Sequence, residues 1–190
     1  AGFDYARPIE FSAAIEAASQ GANVLLIEKL STVGGSTKLS EGMVVRGVQE
    51  GENEEALTTD ELYQLYVNYS WNNEYFSIDM VRDFADNIDA NAQWLLDNGF
   101  DAEPYFYNGW LPLDPSDDWA TNAISVIELV NGEPEGGQGY YITSALESAA
   151  LSAGVTIMTD TAGTELLTDD TGAVTGAMAQ GTDNTEYTIH

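Results

Sequence analysis

The sequence predicts an α/β domain, because helical stretches are followed directly by short apolar runs that suit buried strands. The alanine-rich stretch 11–20 precedes Gly21 and the run 24–27, VLLI. Near the end of the chain, a helical stretch at 140–153 precedes the run 155–158, VTIM. Short apolar runs rich in branched residues are typical of parallel strands buried on both faces. Helix–strand alternation is also what a βαβ unit requires.

Length and composition indicate a folded globular chain. The 190 residues are enough for one well-buried domain, and 44% of them are hydrophobic. No apolar run approaches the roughly 18 residues that a membrane-spanning helix needs. No stretch has the pattern of a signal peptide. The compartment stays open on this evidence, between the cytoplasm and export from a bacterial-type cell.

The charge balance narrows the classes of partner. The net charge is −27, with only five basic residues, which argues against nucleic-acid binding. The acids are scattered along the chain, as expected for a solvated surface. The chain contains no cysteine, which excludes disulfides, thiolate metal sites and a cysteine nucleophile. We therefore predict no nucleic-acid partner and assign no metal site.

The stretch 23–42 carries the clearest functional signal. Glu28 closes the first apolar run, and an acid at the carboxyl end of a parallel strand can accept hydrogen bonds from both hydroxyls of a ribose. Five positions later, residues 33–37 read VGGST, a turn whose glycines allow close backbone approach to a ligand. Its hydroxyls and amides suit phosphate oxygens. Glu28 alone is equally explained as a solvated strand end, but acid, spacer and turn together indicate a nucleotide site.

A longer stretch, residues 12–43, resembles the FAD-binding segment of the fumarate reductase and succinate dehydrogenase flavoprotein superfamily. That superfamily includes enoate reductases and 3-ketosteroid dehydrogenases. The matching positions fall in the family's order: Gly21-Ala22, Glu28-Lys29, Gly34-Gly35-Ser36-Thr37 and Ser40-Glu41-Gly42-Met43. The resemblance implies a partial Rossmann-like FAD-binding domain with inserted helices and a C-terminal β-meander.

FAD is the cofactor that this resemblance implies. Glu28 would hold the adenosine ribose, and Gly35, Ser36 and Thr37 would lie against the pyrophosphate and the flavin. The backbone of Thr161, Ala162 or Gly163 would contact the adenine. The residues carried over as cofactor-binding are Glu28, Lys29, Gly34, Gly35, Ser36, Thr37, Ser40, Gly42 and Ala162.

The resemblance further implies a parent enzyme that transfers hydride between flavin and an activated carbon–carbon double bond. Its substrate would be an unsaturated carboxylate or a similar small molecule, and the electron donor is not assigned. No catalytic residue is assigned either. Arg46 and Arg82 are the only candidate catalytic cations beyond the N-terminal stretch, and nothing matches Arg46 to a catalytic Arg of the family. Family members continue past the point where this chain stops, so we expect the 190 residues alone to be inactive. The competing interpretation is a non-catalytic acidic remnant or an interaction domain.

The first ten residues depart from the family pattern. A glycine-rich turn is expected just before Phe11, yet residues 5–10 read YARPIE. A side chain in that turn would collide with pyrophosphate, and Glu10 would add a negative charge near it. We interpret residues 1–10 as a fusion scar or a misread chain start, with natural divergence as the alternative.

The middle of the chain is predicted to be helices joined by loops. We predict a loop over 42–58, a helix over 58–71 that begins with the capping box Thr58-x-x-Glu61, and a helix from Ser77 to Gly99. Residues 101–139 are predicted to be irregular, and the glycines at 136–139 either bind an anion or form a flexible loop. The aromatic side chains of 63–76 are more typical of a packed core than of a stacking platform. One face of the second helix is predicted to be buried: Ile78, Val81, Ala85, Ile88, Ala92 and Leu95.

The last forty residues are predicted to form a β-meander. Strands are expected at 164–168, 173–179 and 184–190, with hairpin turns at 169–172 and 180–183. We divide the chain into an atypical N-terminus (1–10), the βαβ part of the FAD-binding domain (11–57), a helical and loop region (58–153) and the meander (154–190).

Overall fold

The chain divides into two units in a computed structural model that describes residues 8–40, 44–50, 55–56, 58–69, 77–112, 123–130 and 139–190. The first unit comprises Ala1–Gly42, Asn98–Phe100 and Glu135–His190, and the second comprises Met43–Asp97 and Asp101–Pro134. The sequence of the second unit is therefore inserted within that of the first.

The described elements are a mixture of helices and strands. The helices are α1 (Pro8–Ser19), α2 (Thr59–Tyr69), α3 (Ile78–Asp97) and α4 (Gly139–Ser152), with a 3₁₀ turn at Thr37–Leu39. The strands are β1 (Leu25–Ile27), β2 (Val44–Glu50), β3 (Glu55–Ala56), β4 (Glu103–Pro112), β5 (Ala123–Val130), β6 (Thr156–Met158), β7 (Thr161–Thr168), β8 (Val174–Gly181) and β9 (Glu186–Ile189). This mixture confirms the predicted α/β class.

In the first unit, α1 and α4 end in the same glycine motif. Gly21 has φ +88°, its amide donates to Ala18 O at 2.9 Å, and the Ala22 amide donates to Ala17 O at 3.0 Å. This pair of bonds is the Schellman arrangement, which requires the left-handed conformation that glycine adopts without a Cβ penalty. Gly154 ends α4 in the same way. Both helix stops predicted from the sequence are confirmed.

The core of this unit lies between these helices and a two-stranded parallel sheet. β1 pairs with β6 in the register Leu25–Thr156, Leu26–Ile157 and Ile27–Met158. The prediction that β1 is buried on both faces is wrong for Leu25, which is 39% exposed, because this sheet has two strands in the described part of the chain. The buried apolar residues of these elements are Phe11, Ala14, Ile15, Leu26, Ile142, Leu146 and Ala150.

The predicted β-meander is confirmed, with strand ends shifted by a few residues. β7, β8 and β9 form an antiparallel sheet in chain order. In the first turn, the Asp169 carboxylate accepts hydrogen bonds from the Thr171 amide and hydroxyl at 2.8 and 2.6 Å. Those bonds, led by the hydroxyl of Thr171, lower the pKa of Asp169. The second turn places Asn184 at φ +66°, a conformation that asparagine tolerates better than most residues.

In the second unit, the capping box at the start of α2 is confirmed. Glu61 Oε2 accepts from the Thr58 amide at 2.8 Å and from its hydroxyl at 2.7 Å, and the Glu61 amide donates back to Thr58 Oγ1 at 3.3 Å. The hydroxyl bond, followed by the amide bond, lowers the pKa of the Glu61 carboxyl. The first turn of α2 is thereby fixed by Thr58 and Glu61, three positions apart.

The predicted apolar face of α3 is confirmed over most of its length. Val81, Ala85, Ile88 and Ala92 are buried, and the Ser77 hydroxyl accepts from the Met80 amide at the helix start. Leu95 is half-buried. Ile78 is 46% exposed, so its predicted burial is wrong. It occupies the first helical position, where the apolar stripe has just begun.

Two helices of the second unit are joined by aromatic and charged side chains. The rings of Tyr66 and Phe84 meet edge to face with centroids 5.1 Å apart. The Arg82 guanidinium lies 3.8 Å over the Tyr63 ring. These contacts support a packing role for the aromatic residues of α2. The aromatic residues at positions 71, 75 and 76, which the same prediction included, lie outside the described residues.

The predictions of a loop at 42–58 and of irregular structure at 101–139 are wrong. β2, β3, β4 and β5 form a four-stranded antiparallel sheet in the order β3-β2-β5-β4. Prolines are unusual inside strands because they lack an amide hydrogen. Pro104 and Pro112 both lie on β4 at the edge of the sheet, where a missing amide is tolerated. Residues 113–122 and 131–138 of the predicted irregular segment lie outside the described residues.

The described helices include none with the length and apolar content to cross a lipid bilayer.

Two isoleucines of α3 offer a matched test of the buried face. Replacing Ile88, which is 6% exposed, by Asp should unfold the protein or leave it insoluble, because a carboxylate would be buried without a partner. Ile78→Asp makes the same chemical change at an exposed position and should cost under about 1 kcal/mol. Urea denaturation followed by circular dichroism measures both. A cooperative Ile88→Asp protein as stable as Ile78→Asp would contradict the helix orientation. If Ile88→Asp cannot be purified, Ile88→Val should still cost about 0.5–1.5 kcal/mol.

The lowered pKa of Glu61 predicts a pH-dependent contribution to stability. A depressed pKa in the folded state stabilises the fold above the unfolded value of about 4.3 and loses that contribution as pH falls through the folded value. Glu61→Gln should therefore destabilise the protein at pH 7, and its difference from the parent should shrink toward pH 3. Urea midpoints at both pH values provide the measurement. Asp89→Asn, at an exposed position within α3, is the control; an equal pH trend in both variants would refute the assignment.

Candidate functional site

The backbone of Glu28 is fixed at the carboxyl ends of two parallel strands. Its amide donates to Met158 O at 2.8 Å, and its carbonyl accepts from the Thr161 amide at 2.9 Å. The residue has no exposed surface, and its Oε1 accepts a hydrogen bond from the Leu30 amide at 2.6 Å. The interpretation of Glu28 as a solvated strand end is therefore wrong. The carboxylate instead shapes the start of the loop that leads to the glycines.

The glycine turn follows from residue 34 onward. Gly34 has φ +105° and Gly35 has φ +49°, values that side chains strongly disfavour. Gly34 O accepts from the amides of Thr37 and Lys38 at 3.1 and 3.3 Å, which closes the turn into the 3₁₀ segment. The amides of Gly35 and Ser36 donate to no atom among the described residues. Consecutive backbone amides with left- and then right-handed conformations form a concavity that binds anions.

The first turn of α4 lies directly against this glycine turn. The Gly139 amide donates to Ser40 O at 3.0 Å, and the Ser40 hydroxyl donates to Thr37 O at 2.7 Å. A Cβ on Gly139 would lie 1.8 Å from Thr37 O. The Gly139 amide thus has a partner, so the anion-binding alternative for the glycines at 136–139 does not hold for this amide. Residues 136–138 lie outside the described residues.

The segment predicted to contact adenine is tied to the same strand ends. The Asp160 amide donates to Leu30 O at 2.9 Å, and Asp160 has φ +53°, an uncommon conformation for a residue with a side chain. Thr161, whose amide bonds to Glu28, is followed by the half-buried Ala162, which pairs with Gln180 on β8. Glu28 and Ala162 are therefore held close to one another by backbone hydrogen bonds.

The predicted cofactor residues therefore fall into two groups. The structure brings Gly34, Gly35, Ser36, Thr37 and Ser40 together in one turn, and it places Glu28 and Ala162 at the strand ends. Lys29 is exposed next to Glu28. Gly42 lies outside the described residues. Sequence reasoning missed the close contact of Gly139 with this turn, for which the glycine-rich run before α4 was the only signal.

The relationship of this chain to known proteins follows from a match to one family model. It describes an FAD binding domain and matches residues 11–190. The chain belongs to this FAD binding domain family. FAD is accordingly the cofactor of the family, as the resemblance of residues 12–43 implied.

Two curated proteins share sequence with this FAD binding domain. A vinyl phenol reductase from Lactiplantibacillus plantarum is 30% identical over 172 residues, which cover 89% of this chain and 31% of that protein. An NADH:fumarate oxidoreductase from Klebsiella pneumoniae is 28% identical over 156 residues, which cover 74% of this chain and 16% of that protein. The chain spans less than a third of the length of either relative.

Solved structures share the fold of this FAD binding domain at lower sequence identity. A 3-ketosteroid-Δ4-(5α)-dehydrogenase from Rhodococcus jostii matches with a TM-score of 0.76 at 22% identity, over 98% of this chain and 42% of that one. The open conformation of a flavocytochrome c3 fumarate reductase matches with a TM-score of 0.70 at 19% identity, over 97% and 30% of the two chains.

The residues present fit FAD at one end of the predicted site and not at the other. The acid at the strand end and the amides of Gly35 and Ser36 suit a ribose and a phosphate. The start of α1 does not suit a pyrophosphate, because the helix begins at Pro8 and carries Glu10 in its first turn. The prediction that this helix starts at Phe11 is wrong by three residues, since Pro8 suits the first helical position.

Of the two candidate catalytic cations, Arg82 receives no support from the geometry. Arg82 Nη1 lies 2.9 Å from Asp60 and 3.4 Å from Asp86, and its guanidinium covers Tyr63. These contacts join α2 to α3 and occupy the guanidinium. The side chain of Arg46 lies outside the described residues. The described residues also contain no cluster of acids and histidines that could hold a metal ion.

A cavity of ≈ 460 Å³ lies between the loop after β1 and α4. Lys38 lines it and donates from Nζ to Thr32 Oγ1 at 2.7 Å. None of residues 34–37 lines this cavity. The other lining residues are Thr32, Val33, Leu39, Tyr140, Thr143, Ser144 and Glu147.

Proposed function

We propose that this chain is the adenosine- and phosphate-holding part of an FAD-dependent oxidoreductase that transfers hydride between the flavin and an activated carbon–carbon double bond. The observation that carries the proposal is the joint placement, in one unit, of Glu28 and of the Gly35 and Ser36 amides, which donate to no atom in the described part of the chain. In this proposal the Glu28 carboxylate accepts hydrogen bonds from the ribose hydroxyls. The two amides donate to a phosphate oxygen.

The remaining predicted residues take supporting roles in the proposal. The Thr37 hydroxyl and Ser40 would hold the flavin end of the cofactor, and the backbone at Ala162 would contact the adenine. FAD supplies the hydride chemistry, and the protein supplies binding and orientation. Glu28 is fully buried, so a ribose reaches its carboxylate only if neighbouring atoms shift on binding.

The substrate class rests on the names of the relatives. Vinyl phenol and fumarate both contain a carbon–carbon double bond conjugated to an electron-withdrawing or aromatic group. We therefore propose a small unsaturated molecule of that kind as the substrate of the complete enzyme. The electron donor and the catalytic acid of that enzyme are not assigned.

A second candidate function is a non-catalytic acidic domain. The observation that favours it is Glu10 in the first turn of α1, where a dinucleotide would need glycine and positive potential. A charge-assisted hydrogen bond to phosphate contributes about 1.5–3 kcal/mol, so losing several of them would abolish useful affinity. In that case the domain would keep the fold of an FAD binding domain without its cofactor.

Titration with FAD, followed by flavin fluorescence, tests the proposal. The 190-residue chain should bind FAD weakly and reduce no enoate. Replacing residues 5–10 by a Gly-x-Gly-Gly-Ala-Gly turn should tighten binding by at least about tenfold, the equivalent of roughly 1.4 kcal/mol. A sub-micromolar dissociation constant for the unaltered chain would refute the misfit at α1. No gain from the glycine turn would favour the acidic-domain alternative.

The role of Glu28 is tested in the glycine-turn variant. Glu28→Gln keeps the shape of the side chain and one acceptor oxygen but removes the charge, and it should weaken FAD binding by about tenfold. Glu165→Gln, at an exposed position on β7, is the matched control and should leave binding unchanged. Equal dissociation constants for the two variants would exclude Glu28 from the ribose site.

A further inference from the structure

We propose that Gly139 and Thr143, on the first turns of α4, are positioning residues that hold the turn at residues 34–40 in its anion-binding shape. This inference rests on the proposed function, because it assigns that shape a purpose in holding the phosphate of FAD. Neither residue touches the proposed phosphate position through its own side chain. Each acts through the backbone of the turn.

The first support for the proposal is the contact at Gly139. Its amide bonds to Ser40 O, and the Ser40 amide and hydroxyl both donate to Thr37 O, at 3.0 and 2.7 Å. A Cβ at Gly139 would come within 1.8 Å of Thr37 O and 2.5 Å of Ser40 Oγ. Real Cβ atoms do not approach so closely, so only glycine lets α4 begin against this turn.

The second support lies one turn further along α4, at Thr143. A Cβ built on Gly34 would meet the Cβ, Cγ2 and Oγ1 of Thr143, each at 3.2 Å. Thr143 is 3% exposed, and its hydroxyl donates to Tyr140 O at 3.0 Å, which fixes the side chain. Gly34 therefore rests against a side chain that is itself held in place.

The turn needs this external support because its own hydrogen bonds are few. Its internal bonds close only the short 3₁₀ segment, whose geometry is poorer than that of an α-helix. The direction of the Gly35 and Ser36 amides depends on the φ angles of Gly34 and Gly35, which glycine alone would leave free to vary. Contact with α4 at both ends of the turn restricts those angles.

The same helix also links the turn to the ribose acid. α4 ends in the glycine motif at Gly154 and leads directly into β6. The carbonyl of Met158, the last residue of β6, accepts the hydrogen bond from the Glu28 amide. One rigid helix thus positions the proposed phosphate turn at its start and the proposed ribose acid beyond its end.

Hydrogen exchange of the 190-residue chain tests the positioning role without any cofactor. In Gly139→Ala, the amides of Leu39 and Ser40 should exchange at least about tenfold faster relative to the amides in the middle of α4. The control is Gly154→Ala, at the other end of the same helix, where an added Cβ meets no atom within 4 Å but the φ of +88° is unfavourable for alanine. Gly154→Ala should lower overall stability and leave that ratio unchanged. The same ratio in both variants would overturn the proposal.

A milder variant covers the case in which Gly139→Ala does not fold. Thr143→Ala removes Cγ2 and Oγ1, two of the three side-chain atoms that leave no room for a Cβ at Gly34, and should raise the relative exchange of the Leu39 and Ser40 amides by about threefold. Ser144→Ala, on the next residue of the helix, is the control and should leave that exchange unchanged. Equal exchange in the two variants would overturn the role of Thr143.

FAD affinity then separates this inference from the proposed function. In the variant with the restored glycine turn, Gly139→Ala should raise the dissociation constant for FAD at least about tenfold. Gly172→Ala, in the turn between β7 and β8 where an added Cβ meets no atom within 4 Å, should change it less than about twofold at a temperature where both are folded. Equal affinities would overturn the positioning role. If the restored protein binds no FAD at all, the proposed function fails, and hydrogen exchange alone decides whether α4 holds the turn.

Discussion

The first unit depends on the parallel pairing of β1 with β6. Three ladder positions are continued by backbone bonds past the strand ends, from the Glu28 amide to Met158 O, from the Thr161 amide to Glu28 O and from the Asp160 amide to Leu30 O. Because these bonds leave the two segments little freedom, Glu28, the loop after it and the segment before the meander lie at the same edge of the sheet. The pairing of β1 with β6 defines the positions of these segments, and the helices and the glycine turn pack against them. A binding site for an elongated ligand needs that kind of common edge.

Electrostatics explains why a backbone site suits this chain. The protein carries a net charge of −27, and among the described residues of the first unit the cations are Lys29 and Lys38. A phosphate approaching such a surface meets repulsion, and few side chains can offset it. Backbone amides provide partial positive charge wherever the chain turns correctly, at no cost in net charge. In the proposed function, anion recognition would therefore depend most on the glycines at 34 and 35.

Features set by neighbouring residues were predictable from the sequence, and features set by distant ones were not. The helix stop at Gly21, the Thr58–Glu61 capping box and the turn at Asp169 each need only a few adjacent residues, and the structure contains all three. The sheet of β2 to β5 escaped prediction because β2 finds its partner β5 far along the chain, while acids and prolines made the strand sequences resemble loops. Gly139 shows the same limit at the candidate site. Its sequence neighbourhood reads as a loose glycine run, and only its contact with Thr37 explains why glycine stands there.

The insertion of the second unit within the first has a consequence for the order of folding. Leu26 and Ile157 pair although residues 43–97 and 101–134 separate them, and pairings across such a span form slowly. The second unit contains contacts of shorter range, such as the β4–β5 hairpin pairing and the packing of α2 on α3. Domains also fold progressively as a chain leaves the ribosome. We therefore expect the inserted unit to form first, and the backbone of Glu28 to pair with Met158 and Thr161 only after residues 156–161 have been synthesised.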